Sequence, residues 1–166
     1  MKYLLSAAAI CLIVLGVDST AYSQKSPAAT MSASVGGVDV EVNYAQPSAR
    51  ERQIMGGLVP YDKVWRTGAN AATLISFGSD AKVEGKEIKA GQYSLYTIPG
   101  KDKWTIIING ATGQWGTQYA QDKDVLRVEV PSGKTKDYVE TFTISEDGKN
   151  VILAWENTEV KFSVKG

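Results

Sequence analysis

Histidine is absent from this 166-residue sequence, and cysteine occurs once, as Cys11. Without histidine the chain lacks both the commonest general base and the commonest metal ligand. Ser-His-Asp and Cys-His catalytic arrangements, HExxH zinc sites and histidine-ligated haem are excluded with it. An excess of either charge is also missing, since 18 basic side chains balance 18 acidic ones. A nucleic-acid binder needs a basic stripe that displaces counterions, so no nucleic-acid partner is expected. Past Val17 no apolar run approaches the about 20 residues that span a bilayer, so no membrane span is expected in the mature chain.

What is present begins with an address. Lys2 precedes an apolar run from Leu4 to Val17 in which Ser6 is the one clearly polar residue. That run is short for a spanning helix and suits a secretory signal. Ala21 and Ser23 are the small residues that a cut before Gln24 requires. Residues 1–23 are therefore expected to be a Sec-type signal peptide, and residues 24–166 a single domain in the periplasm or outside the cell. Cys11 follows Ile10 inside the apolar run, where lipoprotein processing wants a small residue, so lipidation is not expected. Cleavage would remove the only thiol. The mature chain must then be held by packing, which about 143 residues can supply.

The periodicity of that chain is two, not 3.6. Val38, Val40, Val42 and Tyr44 alternate with Asp39, Glu41 and Asn43, and Met31, Ala33 and Val35 alternate with Ser32 and Ser34. Gly36-Gly37 between them predicts a tight hairpin pairing Val35 with Val38, Ala33 with Val40 and Met31 with Val42. Further strands are expected over 72–77, 82–84, 93–98, 104–108, 125–130 (ended by Pro131) and 138–145. Asp147-Gly148 would turn the last of these into 151–155. Glu156-Asn157 would then make a second hairpin to 158–164, pairing Leu153 with Val160 and Val151 with Phe162. Trp104-Thr105-Ile106-Ile107-Ile108 is apolar on both faces and reads as a central strand. The expected class is all-β: an antiparallel β-sandwich of about nine or ten strands, or a barrel-like closure of it. Two long loops, 45–70 and 110–124, and at most one short helix complete it. That helix would start at the Ser48-Ala49-Arg50-Glu51 capping box.

Arginine is placed unevenly. Arg50, Arg52 and Arg66 fall within 17 residues, and Arg127 is the fourth and last. Lysines are scattered. The planar guanidinium fork suits carboxylate or phosphate, and Tyr44, Tyr61 and Trp65 lie near in sequence. The cluster marks either an anion or sugar site, or a set of ion pairs to Glu51, Asp62 and Glu84 that ties the loop down. Asn70, four residues after Arg66, is either a donor into that site or a turn residue with positive φ. Tyr96, on the Gln92-Ser94-Tyr96 face of its strand, is expected to be exposed. Trp115 and Tyr119 argue that the second loop is ordered. Gly110-x-x-Gly113-x-x-Gly116 lacks the strand-loop-helix context of a phosphate cradle. Asp122-Lys123-Asp124 is too sparse for calcium. No metal and no cofactor are expected.

Much of the chain carries a dense pattern: Pro47-Ser48, Arg50, Arg52, Ile54, Gly56, Leu58-Val59-Pro60-Tyr61, Val64-Trp65-Arg66-Thr67-Gly68-Ala69-Asn70 and Ala72-Thr73. It continues through Gly85-Lys86, Ala90-Gly91-Gln92-Tyr93-Ser94-Leu95-Tyr96-Thr97-Ile98-Pro99, Trp104 and Trp115-Gly116. This pattern resembles a family of secreted bacterial proteins known as domain of unknown function 2911. The resemblance implies one secreted domain and brings no activity or catalytic residue with it.

The leading expectation is a non-catalytic binding or cell-envelope-associated module for a glycan or small anionic ligand. Its candidate ligand-binding residues are Arg50, Arg52, Arg66, Asn70, Tyr96, Trp115 and Tyr119. The alternatives are a histidine-independent, glycosidase-like hydrolase using carboxylates in the same cleft, although no acidic residue stands out in a motif, and a purely structural protein-interaction domain.

Overall fold

The structure, a computed structural model, describes residues 25–166. The expected signal peptide, its cleavage point and Cys11 lie outside the described residues. Nine strands follow in order: β1 (Ala28–Val35), β2 (Val38–Ala45), β3 (Thr73–Phe77), β4 (Ala81–Val83), β5 (Lys86–Ile88), β6 (Gly91–Ile98), β7 (Lys103–Asn109), β8 (Asp124–Glu146) and β9 (Asn150–Lys165). All neighbours are antiparallel, in the order β1-β2-β3-β6-β7-β8-β9-β4-β5. The order has two ends, β1 and β5, so the sheet is not a closed barrel. It folds over instead, and β8 belongs to both layers. Its first residues pair with β7 as far as Pro131, and from Ser132 onward it pairs with β9. Among the described residues no helix is long and apolar enough to cross a membrane.

The first hairpin forms as its pattern predicts. Val35 pairs with Val38, Ala33 with Val40 and Met31 with Val42, and the four valines and Met31 are buried. Gly36 and Gly37 have φ of 57° and 83°. Gly36 meets a second demand, because a Cβ there would lie 1.9 Å from the carbonyl oxygen of Val164. The turn between β1 and β2 is thus clamped on the end of β9. Trp104, Ile106, Ile107 and Ile108 of β7 are all buried, in the fifth of nine positions in the sheet.

Three local expectations are corrected. No hairpin forms at Glu156-Asn157, and β9 runs unbroken through it. Glu156 has a φ of 52° and pairs with Val139 where the β8–β9 register shifts. That bulge aims its carboxylate at a neighbouring loop, where the backbone N–H groups of Ile54 and Met55 donate to it at 3.0 and 3.1 Å. Nor does Pro131 end a strand. It pairs with Lys103 where β8 passes from one partner to the next, a place where a missing N–H is tolerated. The Ser48–Glu51 box starts no helix. Arg50 and Glu51 take φ of 50° and 60°, and the Ser48 hydroxyl lies 2.9 Å from that of Thr141. The chain there follows β8 instead of coiling, with Phe142 N–H donating to Pro47 O and Ala49 N–H to Glu140 O. Among the described residues the one helical turn is a 3₁₀ turn at Gln121–Lys123.

Candidate functional site

The segment between β2 and β3 is long but not loose. Trp65 and Thr97 exchange backbone hydrogen bonds of 2.7 and 2.9 Å, and Asp62 N–H donates to Pro99 O at 2.8 Å. The Trp65 ring packs among Trp104, Phe142 and Trp155, with centroids 6.1, 5.0 and 5.9 Å away. Five of the seven non-glycine residues with positive φ among the described residues lie here: Arg50, Glu51, Asp62, Thr67 and Asn70. Thr67 is the costly one, because a β-branched residue is crowded at its φ of 54°. Strain of about 1–3 kcal/mol per such residue persists only where the surroundings dictate it. Here Thr67 is fully buried. Its hydroxyl lies 3.1 Å from that of Thr97, and the Thr73 hydroxyl donates to its carbonyl at 2.7 Å. Asn70 has the positive φ of a turn residue, 63°.

The second loop, after β7, lies over the outer face of β6 and β7. Ser94 donates to Ala111 O at 2.6 Å, and Gln114 Nε2 donates to the Tyr96 hydroxyl at 3.1 Å. Ala72, Tyr96 and Ile107 form a small second core, with Ile98 and Tyr119 packed against it. Tyr96 is fully buried, so its expected exposure is corrected. The face read as outward is roofed by this loop.

The two loops meet. Ala71 bridges Trp115, Ala72 N–H donates to Gln114 O at 3.2 Å, and Gly116 N–H to Asn70 O at 3.1 Å. A Cβ on Gly116 would lie 2.2 Å from Arg66 Cδ and 2.8 Å from Asn70 O. The missing side chain is what lets Arg66 lie there.

Between the loops is a cleft of about 730 Å³. Lys25, Arg50, Arg52 and Arg66 line it, with Ser48, Asn70, Thr117 and Tyr119. Leu58, Val64 and Trp65 form an apolar stretch of its wall, and among the described residues no Asp or Glu lines it. The four cations are employed differently. Arg52 donates to the carbonyls of Ala49 and Ser48 at 3.0 and 2.8 Å, closing its own turn. The Arg50 backbone N–H donates to Glu140 at 2.8 Å, and its side chain is exposed. Arg66 is half-buried. Among the described residues, none of the three arginines pairs with a carboxylate. The expected pairs to Glu51, Asp62 and Glu84 are therefore not made.

Of the seven residues expected at a site, Arg50, Arg52, Arg66, Asn70 and Tyr119 share this cleft. Tyr96 is buried beneath the loop, and Trp115 is 51% exposed beside the cleft without lining it. Asn70 Nδ2 donates to Ser26 O at 3.3 Å, holding the N-terminal segment in place. Lys25 and Thr117, which also line it, stand in no motif, and Leu58 and Val64 belong to the family pattern without being expected at a site. Glu84 and Glu129 flank a different groove beside Lys86 and Arg127.

Tyr119 joins the cleft to the fourth arginine. Its hydroxyl donates to Asp124 at 2.6 Å and accepts from Arg127 Nη2 at 2.7 Å, while Arg127 Nε pairs with Asp124 at 2.7 Å. Asn109 Nδ2 donates to the other Asp124 oxygen at 2.8 Å. Burial, then the bond to Asp124, pushes the Tyr119 hydroxyl above its usual pKa. The bonds to Tyr119 and Asp124 raise that of Arg127.

No curated protein and no solved structure matches the chain. The family model described as protein of unknown function DUF2911 matches residues 26–164, a span that takes in both loops and all nine strands up to Val164. The chain belongs to the DUF2911 family.

Proposed function

We propose that this protein is an exported, non-catalytic binding module whose cleft takes a small anion, a carboxylate, phosphate or acidic sugar. One observation carries the reading: among the described residues, four cations line the cleft and no carboxylate does. A protein interior normally pairs its guanidinium groups, because an unpaired charge loses hydration without compensation. Arg66 is half-buried without a carboxylate partner. Its fork is free to grip two oxygens of a ligand, and the unbalanced cleft raises the local anion concentration. The hydrolase reading loses ground for the same reason. A histidine-free glycosidase needs two carboxylates roughly 5–10 Å apart, and the walls offer none. The export reading rests on Lys2, the Leu4–Val17 run and the Ala21/Ser23 spacing.

The test is calorimetric titration with inorganic phosphate, acetate and glucuronate at low and high salt. Binding that weakens with salt, and falls about tenfold or more in Arg66→Gln through loss of a charge-assisted pair, is expected. Failure of all three anions to bind, or equal affinity in Arg66→Gln, would overturn the proposal.

A further inference from the structure

The same cleft has a second property that a simple anion site does not need. Large exposed apolar side chains are few among the described residues: Leu58, Val64, Trp115, Val125 and Tyr138. Two of the five, Leu58 at 51% and Val64 at 39% exposure, line this one cleft. Resting on the anion reading above, we infer that the ligand is an amphiphilic anion. Its acidic head meets Arg66 and Arg50, and its apolar chain or ring lies along Leu58, Val64 and Trp65.

The exposure of Leu58 is held in place. Within its turn, Leu58 N–H donates to Gln53 O at 3.0 Å, Val59 N–H to Ile54 O at 2.9 Å and Gly56 N–H to Val59 O at 2.9 Å. Glu156 anchors the same turn through the N–H groups of Ile54 and Met55. Val59, the next residue, is buried in the main core. The turn therefore sends one apolar side chain inward and keeps its neighbour in the cleft. Val64 is fixed in the same way, between Asp62 and Trp65, whose N–H groups donate to Pro99 O and Thr97 O. Apolar groups that stay wet on an ordered backbone are a preformed surface that needs no reorganisation to be covered. Area removed from water there adds to affinity. The volume, about 730 Å³, is that of a site for a small organic molecule and exceeds what a bare inorganic anion fills.

The experiment compares matched probes on the purified protein: inorganic phosphate against hexyl phosphate, acetate against hexanoate, and hexanol as the neutral control. The alkyl member of each pair should bind about tenfold or more tightly than its parent, and hexanol should bind far more weakly than either. In Leu58→Ser and Val64→Ser that alkyl advantage should shrink. In Val125→Ser, at an exposed apolar residue outside the cleft, it should persist. Equal affinity within each pair overturns the amphiphile and leaves the anion reading intact. Absence of binding by all four anions overturns both. Hexanol binding as tightly as hexyl phosphate overturns the anionic head.

Discussion

Tyr119 shares a cleft with Arg66 and a hydrogen bond with Arg127, and the protein treats the two arginines in opposite ways. Arg127 is satisfied: Asp124 holds it at 2.7 Å, the Tyr119 hydroxyl at 2.7 Å, and Asn109 steadies the carboxylate. Arg66 faces a cleft without a carboxylate. Both are partly buried, so burial does not distinguish them. Partner supply does. A paired guanidinium belongs to the scaffold, and the one without a carboxylate partner is the one on which the proposed anion site rests. The Tyr119 ring lines the cleft while its hydroxyl belongs to the scaffold network.

The sharpest way to break this contrast is Gly116→Ala. The new methyl would overlap Arg66 Cδ and crowd Asn70 O, so either the loop or Arg66 must move. We expect a loss of about 1–3 kcal/mol, the usual cost of overpacking, read as a lower melting temperature, with weakened anion binding alongside it. A wild-type melting curve would show that Arg66 has room the structure does not indicate. Next come the two arginines themselves. Arg127→Ala strips the partner from Asp124, whose side chain is only 10% exposed, although Arg127 at 37% is partly screened by solvent. We expect about 1–2 kcal/mol from chemical denaturation. Arg66→Ala, which unpairs nothing, should stay within about 0.5 kcal/mol. Equal losses would erase the distinction drawn above. The smallest effect is in alkali. The folded Tyr119 pKa lies above 10.0, so the unfolded chain ionises first. The stability this lends is present below pH 10 and is lost as pH rises through the folded value. Ultraviolet titration should show Tyr119 ionising late, and Asp124→Asn should bring it earlier, because that carboxylate holds the hydroxyl proton.

How much of this was legible in the sequence depends on how many neighbours a residue answers to. The β1–β2 hairpin answers to itself. Strict alternation and Gly36-Gly37 determine register, and Val35 meets Val38 as expected. Glu156 answers to a loop a hundred residues away, so Glu156-Asn157 reads as a turn in the sequence and Glu156 is a bulge in the structure. Tyr96 sits on a face that alternation marks as outward, yet a loop covers it. Period-two reading sees one covering layer and cannot see a second. The site divides in the same way. Arg50, Arg52 and Arg66 stood out by clustering, and five of the seven candidate residues share one cleft. That no carboxylate would meet them, and that Leu58 and Val64 would complete the wall, depends on tertiary placement alone.

The clasp between the first turn and the last strand bears on how the chain assembles in time. Gly36 N–H donates to Gly148 O at 2.9 Å, and Gly166 N–H donates back to Gly36 O at 3.0 Å. A hairpin that can form as soon as it is made must therefore wait for β9 before its turn is seated. A chain delivered N-terminus first, as from a ribosome, leaves that turn open until β9 emerges. Contacts of such wide sequence separation close slowly. Losing Gly166 would remove one half of this clasp and leave the bond from Gly36 N–H to Gly148 O.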